Sequence, residues 1–101
     1  MAGSCVCSDR ILTASLSGEI DHHGAREIME MLDSRIDSEM PRRLRMDLSS
    51  VTFMDSSGIA VLLRAHKRMA ALDGRVEVIN IPQQAERVLR AAGLQRIMRF
   101  I

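Results

Sequence analysis

Ser57 stands in the run Met54–Asp55–Ser56–Ser57–Gly58, where an apolar segment, Val51 to Met54, hands over to an amphipathic one. A serine with an aspartate two residues before it and a histidine nine residues after it, His66, has the residue types of nucleophilic catalysis. The surroundings argue against that chemistry. Ser57 lies between Asp55–Ser56 and Gly58–Ile59, so there is no Gly-x-Ser-x-Gly elbow to lift the hydroxyl above a sheet. His66 falls on the inner face of the following helix and points away. No glycine-rich loop with a lysine is present to cradle the phosphates of a nucleotide. The same run reads well as a helix start, with Asp55 or Ser56 accepting from free N–H groups of the first turn. A hydroxyl placed there sits at the positive end of the helix dipole, where a phosphate is accommodated. The chain is therefore read as a non-enzyme with an exposed, ordered serine.

Two other clusters invite a chemical role. His22–His23 are adjacent, and adjacent histidines rarely converge on one ion; no zinc-like pairing of Cys or His follows them. They are read as shaping the loop into a helix, with Asp21 before them as its cap. Cys5 and Cys7 lie two apart near the start of the chain and are read as free thiols on opposite faces of a strand. No metal and no cofactor is expected.

The elements that must position these residues follow from periodicity. Cys5–Val6–Cys7 and Ile11 to Leu16 read as strands joined by a turn at Ser8–Asp9–Arg10, the second closing at Ser17–Gly18. Ala25, Ile28, Met29, Leu32 and Ile36 recur at helical spacing, with Glu27, Glu30, Asp33 and Asp37 on the other face and Pro41 ending the region. Leu44–Leu48 alternates as a strand, and Ser49–Ser50 then leads to Val51–Met54. A second helix runs from there to about Leu72, its inner stripe Ile59, Leu62, Leu63, His66, Met69 and Ala70. Asp73–Gly74 stops it, with glycine in the left-handed conformation. Arg75–Ile81 is a third strand, Pro82 opens a helix with a stripe of Ala85, Val88, Leu89 and Ala92, and Gly93 closes it. Ile97–Ile101 is a last apolar strand, expected to leave some apolar surface for weak homodimerisation. The order gives an α/β class: one domain over residues 1–101, a mixed β-sheet flanked by amphipathic helices.

At 101 residues and 47% apolar composition the chain can bury one core. No apolar run reaches the roughly 20 residues of a membrane-spanning helix, and residues 1–8 do not read as a secretory leader. A cytoplasmic protein without membrane contact is expected. The net charge of +1 does not suit a protein held to nucleic acid by charge alone. Its distribution is uneven: residues 1–59 carry six basic and ten acidic side chains, and residues 60–101 carry eight and three. An acidic recognition surface in the first half is one reading; solvated helix faces are the other.

Two motifs resemble the STAS-domain anti-sigma factor antagonists, especially those of the sporulation type, the anti-sigma-F factor antagonists. Leu16–Ser17–Gly18–Glu19–Ile20–Asp21–His22–His23 resembles that family's strand-to-helix segment, and Val51 to Gly58 its phosphorylation-site segment. Similarity continues through Ala92–Gly93–Leu94 to Arg99–Phe100. The resemblance implies a STAS-like fold and a part in partner switching. An anti-sigma factor that is also a serine kinase is bound by the unphosphorylated protein, which frees a sigma factor. Phosphorylation by that kinase releases the antagonist, and a serine phosphatase resets it. It implies Ser57 as the phosphoacceptor, with Ser56, Asp55 and Gly58 framing it and Glu19, Asp21, His22 and His23 in the partner-facing loop. A final helix usual in the family is not matched by this sequence. Two alternatives stay open: an antagonist for a stress-type sigma factor, and a small-ligand or nucleotide-binding module of the same family.

Overall fold

The structure, a computed structural model, describes residues 3–101; the leader reading rests partly on Met1 and Ala2, which lie outside them. Strand β1 (Gly3–Ser8) and strand β2 (Ile11–Ile20) form an antiparallel hairpin. Its two turn residues, Asp9 and Arg10, both take positive φ (53° and 63°), as a two-residue turn matched to strand twist requires. Helix α1 (His22–Glu39), strand β3 (Arg43–Met54), helix α2 (Ser56–Ala70), strand β4 (Arg75–Ile79) and helix α3 (Gln83–Ala91) follow. A short 3₁₀ turn (Leu94–Arg96) then leads to strand β5 (Arg99–Phe100). Spatial order equals chain order, β1-β2-β3-β4-β5, and every pair after the hairpin is parallel.

Parallel neighbours joined by right-handed crossovers put their helices on one face of a sheet. The burial pattern agrees. Leu12, Ala14 and Leu16 of β2, Leu44, Met46 and Leu48 of β3, and Val76 and Val78 of β4 form one core with Ile28, Leu32, Leu62, Met69 and Leu89 from the helices. α1 packs on α2, and α2 on α3. The alternate strand residues, among them Thr13, Ser15, Arg45 and Asp47, face away and are more open. Glu77 is the exception on that side: it is buried, and its carboxylate accepts from Arg45 Nη2 at 3.3 Å.

The structure departs from the expectation at several places, each for a physical reason. β2 does not close at Ser17–Gly18 but runs on to Ile20. Gly18 takes φ 75° within register shifts on either side, so the strand bends without ending. β3 likewise passes through Ser49–Ser50 as one strand. On α2 the buried side is Gly58, Val61, Leu62, Ala65 and Met69, while Leu63 and Ala70 are exposed and His66 is half-buried. Ile59 to Leu63 are apolar in succession, so spacing could not fix the phase of that helix. Ala92 is exposed. Asp73, not Gly74, takes the left-handed conformation (φ 56°). Gly74 is instead required for space, since a Cβ there would lie 2.9 Å from the Arg42 carbonyl oxygen. Cys5 and Cys7 are free and share a face, as the two-residue period of a strand dictates. At the end of the chain Met98 is buried and Phe100 half-buried, and Ile97 and Ile101 remain exposed.

Candidate functional site

β2 and β3 run parallel, so the loops leaving them emerge side by side at one end of the sheet. Glu19 pairs with Phe53 and Ile20 with Met54, and the Asp55 N–H donates to the Ile20 carbonyl at 3.4 Å. Two helix starts are thereby brought together, each capped by an aspartate in extended conformation. Asp21 Oδ1 accepts from the Gly24 N–H at 2.9 Å, and Asp55 Oδ1 accepts from the Ser57 N–H at 2.7 Å. The Gly24 bond is the main cause holding the Asp21 carboxyl below its ordinary range. Of the two expected caps for α2, Asp55 supplies the bond, which leaves Ser56 exposed and Ser57 half-buried.

Ser57 lines a shallow hollow of about 370 Å³ with His22, Ala25, Arg26, Met29 and Ala60, between the first turns of α1 and α2. His22 is thus brought to Ser57, whereas His23 turns outward and lies 3.4 Å from Glu27. His66 is nine residues along α2, about 14 Å by helical rise, and lines a different groove with Arg43 and Arg75. Ser57 therefore has no base from that residue. Among the described residues no three of His, Cys, Asp or Glu gather as a metal site. The geometry places a half-buried hydroxyl at a helix start, in a hollow shared with a histidine and an arginine.

A family model described as STAS domain matches residues 4–101. The chain belongs to the STAS domain family. An anti-sigma F factor antagonist of Paenibacillus polymyxa is 32% identical over 88 residues, covering 87% of this chain and 75% of the relative. An anti-sigma-B factor antagonist of Bacillus subtilis is 28% identical over 87 residues, covering 86% and 78%. The solved structure of the anti-sigma factor antagonist SpoIIAA in its unphosphorylated form matches with a TM-score of 0.86 at 25% identity, over 99% of this chain and 88% of that one.

Three residues that position the site of this STAS domain escaped the sequence reading. Gln84 of α3 binds both backbone groups of Met54: Met54 N–H donates to its Oε1 at 2.9 Å, and its Nε2 donates to the Met54 oxygen at 2.8 Å. The amide completes the end of β3 as a neighbouring strand would. Thirty residues separate the two, so no local pattern announces the contact. Gly24 is needed where α1 meets β2, because a Cβ would come within 2.8 Å of the Glu19 carbonyl oxygen. A glycine in the first turn of a strong helix was the available signal for it. Arg26 lines the same hollow as Ser57 and lies 3.9 Å from Glu30. It faces outward on a helix rich in charge, which hides it among ordinary surface residues.

Proposed function

We propose that this STAS domain is an anti-sigma factor antagonist that binds an anti-sigma factor with serine-kinase activity and is released by phosphorylation of Ser57. A serine phosphatase returns it to the binding state, and the process regulated is sporulation transcription. The observation that carries the reading is the placement of Ser57: a half-buried hydroxyl in the first turn of α2, beside Arg26 and His22. Glu19, Asp21, His22, His23, Asp55, Ser56 and Gly58 form the partner-facing rim around it.

The switch follows from electrostatics. A phosphate adds roughly −1.5 to −2 charge at neutral pH. In the free protein Arg26 and the positive end of α2 offset that charge, so the fold is kept. Against a packed partner the same group must be desolvated close to Asp55, which opposes binding. A penalty of about 2.7 kcal/mol weakens affinity roughly 100-fold, enough for release.

The test pairs phosphosite mapping with a pull-down after incubation with candidate anti-sigma kinases and ATP. Ser57→Ala is expected to stay bound in ATP, and Ser57→Asp to bind poorly. Modification at another residue alone, or equal binding before and after phosphorylation, overturns the mechanism. Asp21→Asn keeps much of the cap and removes the charge; unchanged kinase binding then limits Asp21 to capping. The 28% identity to the anti-sigma-B factor antagonist supports a second reading, service to a stress-type sigma factor. Preference between the two cognate kinases in the same pull-down decides it.

A further inference from the structure

Cys5 and Cys7, expected on opposite faces of a strand, share one, and that placement gives the pair a chemistry its sequence spacing did not announce. Both are half-buried on the side of β1 that meets α1, packed against the core. The facing rows keep step along the two elements. A Cβ at Gly3 would lie 3.1 Å from Met31 Cε, Arg35 Nη1 donates to the Cys5 carbonyl at 3.0 Å, and the Cys7 thiol is hydrogen-bonded to Glu39. Two strand residues advance about 6.7 Å and four helix residues about 6 Å, so Met31, Arg35 and Glu39 follow Gly3, Cys5 and Cys7.

Strand geometry keeps the pair reduced. Cα atoms about 6.7 Å apart stand near the outer limit of a disulfide, and the two Cα–Cβ bonds run alongside rather than toward each other. One ion between the sulfurs asks less of the backbone. With metal–sulfur bonds of roughly 2.3 Å, as for zinc, the sulfurs stand about 4.6 Å apart, within reach of two same-face side chains that lean together. Met31 lines a hollow of about 430 Å³ with Cys5 and Arg35 and brings a thioether to the same row. Among the described residues no three of His, Cys, Asp or Glu gather, so the tetrahedral set that zinc takes is not formed.

We propose that Cys5 and Cys7 bind one soft monovalent metal ion, copper(I), between their sulfurs, with the Met31 thioether as an auxiliary donor. Thiolate and thioether sulfur select copper(I) by softness, and that ion is satisfied by few ligands. Binding breaks two S–H bonds and forms two copper–sulfur bonds; two protons pass to solvent and no electron moves. The bound unit carries one negative charge. Arg35, whose charge acts on both thiols, offsets it. The acids on this face do not compete strongly: Glu39 lies 3.6 Å from Arg35, and Glu27 lies 3.4 Å from His23. No residue lines both this hollow and that of Ser57, so the site does not depend on the phosphorylation switch.

Anaerobic titration with copper(I), in competition with a chromophoric copper(I) chelator, tests it. The chain has no Trp and no Tyr, so the ultraviolet charge-transfer band of a copper–thiolate bond is read without overlap. One copper per chain is expected. Cys5→Ser and Cys7→Ser are each expected to weaken binding about a hundredfold or more, and Arg35→Gln about tenfold, the scale of an outer-shell contact. Met40→Leu, an exposed methionine off this face, is expected to change nothing. Copper(I) is expected to raise the urea midpoint of the wild type and not of the Cys5→Ser/Cys7→Ser double variant, because the folded strand holds both sulfurs on one side. An unchanged or lowered midpoint indicates capture by a detached segment and overturns the proposal. So do one copper per two chains, affinity that survives loss of either thiol, and zinc bound as tightly as copper(I).

Discussion

At the carboxyl end of β3, the capping carboxylates meet backbone donors, Asp21 on Gly24 and Asp55 on Ser57, and Gln84 closes the last open backbone pair at Met54. At the amino end, Arg43 and Arg75 sit side by side with no partner among the described residues. The first end is built by hydrogen bonds and close backbone approach, and its geometry tolerates little change. The second is built from the same sheet yet keeps charge in reserve. Arginine shows the contrast within one residue type: Arg64 and Arg68 tie α2 to α1, whereas the groove arginines tie nothing. A net charge of +1 is therefore the sum of an internally neutralised helix layer and a basic strand end.

The sharpest way to break the comparison is Gly58→Val. A Cβ at Gly58 would lie 2.4 Å from Met54 Cγ, and Met54 is itself buried. Stability measured by urea unfolding is expected to fall by about 1–3 kcal/mol. Gly58→Ala is expected to cost less, because alanine recovers up to about 1 kcal/mol of helix propensity. A neutral Gly58→Val would show that this end is looser than its contacts imply.

Gln84→Ala comes next. It leaves the Met54 N–H and carbonyl without their partner, and a loss of about 1–2 kcal/mol in urea unfolding is expected. Faster amide exchange at Met54 is expected with it, as β3 loses its last closing bonds.

A smaller pair of substitutions sets the two groups of arginines against each other. Arg68→Gln removes contacts to Asp33 and Asp37 and is expected to lower stability by about 0.5 kcal/mol. Arg75→Gln removes a like-charge neighbour and is expected to be neutral or to raise stability by a few tenths of a kcal/mol. Thermal unfolding at low salt measures both, and high salt is expected to shrink the difference. Equal losses would erase the distinction between the two groups.

The smallest effect is in pH. The folded Asp21 carboxyl lies below its unfolded value of roughly 3.9, chiefly through the Gly24 N–H. Its contribution is complete above that unfolded value and is lost as pH falls through the lower folded one. Asp47, held down first by the Ser49 N–H, acts in the same direction. Stability is expected to decline below about pH 4, less steeply in Asp21→Asn, as followed by denaturation at stepped pH.

Much of the site was legible because it is local. An aspartate before a helical pattern states its own cap, as at Asp21 and Asp55, and the Ser56–Ser57 pair is fixed at the helix start by the residue count alone. What spacing could not supply was the phase of α2, since Ile59 to Leu63 offer apolar side chains in every direction; packing of Gly58 and Ala65 against the core chose it. The turn at Asp73–Gly74 was misassigned for a related reason: glycine was read as conformational freedom, when the need there was for space beside Arg42.

From sequence alone came the class of fold, the order of its elements, the capped helix starts and the motifs that resemble STAS antagonists, all set by interactions within a few residues. Tertiary structure decided that His22 rather than His23 lines the hollow with Ser57, that Gln84 closes β3, and that the acids and arginines divided unevenly along the chain sort in space into a neutralised layer and an unpaired cluster. Those outcomes depend on strand register and helix packing, which bring together residues about 30 positions apart. Coulombic and hydrogen-bond energies depend on distance in space, and a sequence records only distance along the chain.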